Sequence, residues 1–170
     1  YEVSSPVSTR ALGDPGPGWN IILNNLYNNT FIPGTTNHYY LFQTTASTKL
    51  TARVWNIPAI DNYDIALYFR PDAASVWSRV ATSEHPSATE EQLSFVSQPG
   101  EYMFEVADIP ETSTANYNFI VTTTDNFDAN EHDDNFWQAR IQTQYETVQG
   151  TIDNNFDKDF IQFNVNQTET

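Results

Sequence analysis

Between Trp19 and Thr124 the chain is divided into short apolar runs at intervals of roughly ten residues, each closed by turn chemistry. The runs are 38–43, 50–57, 64–69, 76–81, 90–96, 101–106 and 117–121. Arg70-Pro71-Asp72 and Gln98-Pro99-Gly100 are the clearest breaks between them. Runs this short cannot be helices of useful length, and only 90–95 is open to a helical reading. A chain cut this way folds as an antiparallel β-sandwich or a small barrel, because each strand must pair with its neighbours and bury one face. Composition agrees: 20 Thr, 17 Asn and 14% aromatic residues suit strands and turns and exceed what a disordered acidic tail carries.

Seven Lys+Arg against 22 Asp+Glu leave a formal charge of −15. Phosphate recognition needs a basic stripe, so nucleic acid and anionic membrane surfaces are excluded as partners, and cations are favoured. Without Cys there is no disulfide, thiolate nucleophile or Cys-ligated metal. No window approaches the 18 apolar residues of a membrane-spanning helix. The chain opens at Tyr1 without a basic-then-apolar leader, which suits a processed, secreted protein.

Four segments follow from these patterns. Residues 1–12 place Tyr1, Val3 and Val7 on alternate positions, the period of a strand, with Pro6 favouring an edge; this arm is read as a donor strand. Residues 13–18, Gly-Asp-Pro-Gly-Pro-Gly, form a linker. Residues 19–124 form the sandwich. Residues 125–170 open with Asp125, Asp128, Glu131, Asp133 and Asp134, and then repeat the order found from Trp19 to Gln43: Trp, Ile, a polar stretch, Gly-Thr and an aromatic-rich strand. This second unit is incomplete, and Phe160, Ile161, Phe163 and Val165 need strands from elsewhere to cover them.

The text resembles the bacterial pre-peptidase C-terminal domain, a jelly-roll-like sandwich also seen as the collagen-binding domain of secreted collagenases. In the first copy the resemblance rests on 64–68, Ser83, 93–95, 100–106 and 116–119; in the second, on 130–136, Ala139, 150–153 and 157–160. It implies calcium in the second copy, held by Glu131, Asp133, Asp134, Asp157 and Asp159, since hard cations take six to eight oxygens. The same acidic run also suits a plain solvated linker. In the first copy Gly-Pro-Gly and Asn37-His38 stand where acids would, so no calcium site is expected there.

Catalytic signatures are weak. Gly-x-Ser-x-Gly and Ser-x-x-Lys do not occur, and His38, His85 and His132 lack metal-site spacing. His38 is expected to be packed and His85 exposed. No enzyme activity is expected. Asn28 and Asn166 open glycosylation-type tripeptides, but so Asn/Thr-rich a chain produces them by chance. Two functions remain. The preferred one is an extracellular structural subunit that assembles into a homopolymer, a surface fibre or layer, by strand exchange: Tyr1, Val3 and Val7 of one molecule fill the gap beside Phe160, Ile161, Phe163 and Val165 of the next. The alternative is a polymer-binding accessory module of a larger secreted hydrolase or adhesin, taking polysaccharide or collagen, with Trp77 as the exposed stacking residue and Trp55 and Tyr39 as core.

Overall fold

A computed structural model describes residues 18–31, 34–109, 114–131, 133, 139–143, 146–153 and 157–164. The arm, with Tyr1, Val3 and Val7, lies outside them, as do His132, Asp134, Trp137 and Val165. Every element among the described residues is a strand: β1 (Trp19–Asn20), β2 (Leu26–Thr30), β3 (Asn37–Thr44), β4 (Lys49–Trp55), β5 (Tyr63–Arg70), β6 (Ser78–Ser83), β7 (Glu91–Val96), β8 (Gly100–Asp108), β9 (Asn116–Thr124), β10 (Arg140–Gln142) and β11 (Ile161–Phe163). The all-β class read from the sequence is the class observed.

Two sheets face each other, one of order β1-β3-β8-β5-β6 and one of order β2-β9-β4-β7. Within these two sheets all pairings are antiparallel except β1 with β3, and a separate two-stranded sheet pairs β10 with β11 in parallel. The strand period of two sends alternate residues inward. Tyr40 and Phe42 of β3, Ile65 and Leu67 of β5, and Tyr102, Phe104 and Val106 of β8 line one inner face; Leu50, Ala52 and Val54 of β4 and Tyr117, Phe119 and Val121 of β9 line the other. Ring pairs cross between the sheets, with Tyr40 stacked on Phe119 at 4.2 Å between centroids. Gly100 opens β8 at φ +154°, where a Cβ would meet the Phe69 ring at 2.5 Å, so the turn after Pro99 accepts no side chain there.

A chain of polar groups runs through this core. Asn29 donates to the Tyr40 hydroxyl at 2.6 Å, the Tyr40 and Tyr117 hydroxyls are 2.7 Å apart, and the Tyr117 hydroxyl lies 2.6 Å from His38 Nδ1. It joins β2 and β9 of one sheet to β3 of the other, so it fixes the position of the sheets as well as satisfying buried groups. His38 is also stacked on Phe31 at 4.1 Å. Burial pushes Tyr40 up to about 12 and takes His38 down from 6.5 to about 4. His38 is thus packed, as its place in the sequence suggests, and neutral in the fold.

The sign of the pH effect follows. The unfolded chain takes up the His38 proton near pH 6.5, while the folded chain resists until about pH 4. The stability tied to neutral His38 is fully present above pH 6.5 and is lost as pH falls towards 4. Thermal melts at pH 7, 6 and 5 should show a falling Tm in the wild type and a shallower fall in His38→Gln. Equal slopes in the two proteins would remove His38 as the cause.

Candidate functional site

Lys49 is the first residue of β4, and its side chain is 0% exposed. Its ammonium is not neutralised by the sandwich itself but by the segment that follows β9. Nζ lies 2.8 Å from Glu131 Oε1, 2.8 Å from Asp157 Oδ1 and 3.3 Å from Asp153 Oδ2, and those three side chains are at most 3% exposed. Asp157 Oδ2 in turn accepts the Asp153 backbone N–H at 2.5 Å, which fixes these two acids relative to each other. The Asp133 carbonyl accepts the Phe160 N–H at 2.7 Å, so the stretches around Glu131 and Asp157 are tied together.

A second carboxylate centre flanks Gly150. Asp128 accepts from the backbone N–H groups of Asn130 at 2.6 Å and Thr151 at 2.7 Å. Burial alone would raise its pKa, but these bonds outweigh that and lower it. A Cβ at Gly150 would meet Asp159 Oδ2 at 2.7 Å and Asp128 Oδ2 at 3.5 Å, so a side chain there would make the Asp159 carboxylate shift. Asp159 is raised by burial first and then by repulsion from Asp157 and Asp128, with Lys49 and Arg140 opposing.

Of the residues expected to ligate calcium, Glu131 and Asp157 meet at one point, and the third member there is Asp153, which sequence reasoning left out of the ligand set. Asp133 is buried beside them in the chain, and Asp159 lies towards Asp128 and Gly150. The three converging carboxylates, with ligand atoms within 4.8 Å of one another, can hold a hard divalent cation such as Ca2+. Lys49 brings a cation of its own to the same oxygens. One ammonium against three carboxylates leaves a surplus of negative charge, which is the chemistry a dication suits.

Two other constellations are local. Buried Glu91 of β7 accepts the Ser83 hydroxyl at 2.5 Å and the His85 N–H at 2.8 Å, with His85 Nδ1 at 3.0 Å. Ser83 is fully buried and its proton goes to a carboxylate, so the group staples the β6–β7 connection; the His85 ring lies half exposed. On the outer face of the larger sheet, Glu105 accepts from Asn37, from the Tyr39 hydroxyl at 3.3 Å and from the Tyr68 hydroxyl at 2.8 Å. Next to it a cleft of about 160 Å³ is lined by Asp64, Arg79, Glu84, Glu105 and Ile109. Trp77 is half-buried, with the Arg70 guanidinium over its ring at 4.3 Å. Tyr39 is buried, and Trp55 is only half-buried, with Arg53 stacked on it at 4.9 Å.

No protein-family model and no curated protein matches the chain. Among solved structures, the pre-peptidase C-terminal domain of collagenase from Bacillus anthracis is similar, with a TM-score of 0.49 and 19% identity over 61% of this chain and 92% of that one. It is a domain of the family that the sequence resembles. A chain from the infectious bursal disease virus Gt strain structure gives a TM-score of 0.33 and 11% identity over 69% of this chain and 36% of that one. Both are likenesses of fold, and neither carries a function across.

Removing the ammonium should be costly. Lys49→Met leaves three buried carboxylates facing one another, a loss of about 3–5 kcal/mol. That is a fall in Tm on the order of 10 °C for a chain of this size. Calcium should recover part of that loss and should raise the Tm of Lys49→Met more than that of the wild type. Differential scanning calorimetry with calcium or with chelator reads both effects. If calcium moves neither protein, the carboxylates are a lysine socket and hold no metal.

Proposed function

We propose that this chain is a non-catalytic, extracellular β-sandwich module of the polymer-binding accessory kind, one of a series of such units along a secreted polypeptide. One observation carries the reading. The parallel pair β10–β11 repeats the parallel pair β1–β3: Trp19 is registered with Tyr40 and Arg140 with Ile161, partners 21 residues apart in both cases. A parallel neighbour is the exception in an otherwise antiparallel sandwich, and its recurrence at the same spacing supports the start of a second unit of the same design.

The outer face of the larger sheet is where a polymer would lie. Tyr68 and Trp77 offer ring surface, and Asp64, Arg79, Glu84 and Glu105 offer hydrogen-bond partners for hydroxyl or amide groups. This donor and acceptor set suits a polysaccharide or a collagen strand. Calcium at Glu131, Asp153 and Asp157 would brace the junction between units, with Lys49 competing for the same oxygens. A second reading, self-assembly by strand exchange, starts from the edge of β11 opposite β10, which no strand among the described residues covers.

Co-sedimentation with insoluble polysaccharides and with collagen fibrils tests the module reading. The wild type should be retained on one of these polymers. Tyr68→Ala and Trp77→Ala should each weaken retention about tenfold, the loss of one stacked ring, while the melting transition stays cooperative. No retention on any polymer, or retention unchanged by both substitutions, would remove the outer face as the binding surface.

A further inference from the structure

We infer that the cleft on the outer face of the larger sheet is a subsite for a lysine side chain, so that the polymer taken there is a polypeptide presenting primary amines. The inference rests on the reading of that face as the binding surface, and goes further by naming the group it receives.

The cleft follows from side-chain size. Asp64, Ala66 and Tyr68 alternate on the outer face of β5, and Glu105 and Ala107 share that face on β8. Asp64 is registered with Ala107 and Ala66 with Glu105, so the acids occupy one diagonal of a square and the alanines the other. The two methyl groups leave a depression between the strands, and Arg79, Glu84 and Ile109 close it to a volume of about 160 Å³. Its floor is apolar, and its walls carry three carboxylates against one guanidinium. The guanidinium is already engaged at the rim, where Arg79 lies 4.0 Å from Glu84 and both side chains are more than half exposed. Asp64 and Glu105 meet only neutral donors among the described residues. Asp64 accepts from Asn62 at 3.2 Å, and Glu105 accepts from Asn37 and from the Tyr39 and Tyr68 hydroxyls.

Neutral donors orient these carboxylates without cancelling their charge. Burial, and then repulsion from Glu84, holds the Asp64 carboxyl above its ordinary range, and an arriving cation relieves that repulsion. An aliphatic stem ending in an ammonium matches both halves of the cleft. Its methylenes cover Ala66, Ala107 and Ile109, while its charged head reaches the acids. A sugar hydroxyl can bond the same oxygens but leaves their charge in place. The carboxylates also converge from β5, from β8 and from the residue after β6. A compact ammonium with three rotatable donors meets acids that come from several directions, whereas the planar fork of a guanidinium is built to match one carboxylate. Lysine is therefore preferred to arginine.

Nuclear magnetic resonance titration of the full chain tests the proposal with three probes: Nα-acetyl-lysine amide, its Nε-acetylated form, and Nα-acetyl-arginine amide. The lysine probe should shift the backbone amides of Ala66, Glu105 and Ala107 saturably. The arginine probe should bind more weakly, and the Nε-acetylated probe should leave those amides unmoved. Ala107→Leu fills the depression without changing any charge and should abolish the response. Asp64→Asn should weaken it about tenfold, the loss of one charge-assisted bond. Circular dichroism melts verify that both variants fold, and the comparison of probes on the wild type needs neither. Equal responses to the three probes, or a lysine response that survives Ala107→Leu, would overturn the proposal. No lysine response, in a wild type still retained on a polymer through Tyr68 and Trp77, would overturn the subsite and leave the module reading standing. Lysine bound in the cleft with no polymer retained would keep the subsite and remove the polymer.

Discussion

The position of the C-terminal segment depends on one buried charge. An ammonium moved from water into a protein interior costs several kcal/mol unless carboxylates meet it there with good geometry. Lys49 opens β4, with Val96 of β7 on one side and Thr124 of β9 on the other. Its neighbours in the sheet are neutral, so the compensation has to come from outside the sandwich. Glu131, Asp153 and Asp157 supply it from two stretches of the following segment. The sandwich therefore does not end energetically at Thr124. Its last buried group is satisfied by residues up to 33 positions further on, and β10 and β11 are held near it as a consequence.

The core itself balances a similar problem at lower cost. Aromatic residues fill a sandwich efficiently, but tyrosines bring hydroxyls that must be paired when buried. Here they are paired with each other and with His38 and Asn29, and the pairing crosses between sheets. Apolar stacking alone would permit small slides of one sheet over the other. The hydroxyl chain permits very few, because displacing any member strands a buried group. The uncharged state of His38 follows from the same arrangement: a proton there would be a buried cation without the carboxylates that Lys49 has.

Much of the sandwich was legible because strand alternation is a local signal. The seven runs read from the sequence correspond to β3 through β9, with ends moved by at most three residues. β1 and β2 were not marked as strands, since Trp19-Asn20 is too short and Leu26–Thr30 too polar to carry the pattern. The acidic site was legible only in part. The run 131–134 and Asp157 drew attention through clustering and through the family resemblance, whereas Asp153 sits alone beside Ile152, and its role depends on a lysine 104 residues earlier. No local pattern encodes that pairing. Trp77 is a similar case: the sequence places it in the run 76–81, whereas it lies just before β6, and the guanidinium over its ring comes from the end of β5.

A sandwich buries its sheets only because each face has a partner and each interior edge has a neighbour. The first unit meets both conditions within its own strands. In the second, neither is met among the described residues, and the Lys49 cluster holds the ribbon in place, so electrostatics offsets part of the ordering entropy of its backbone. Lys49, whose carboxylate partners lie outside β10 and β11, is therefore the residue on which the placement of that ribbon depends.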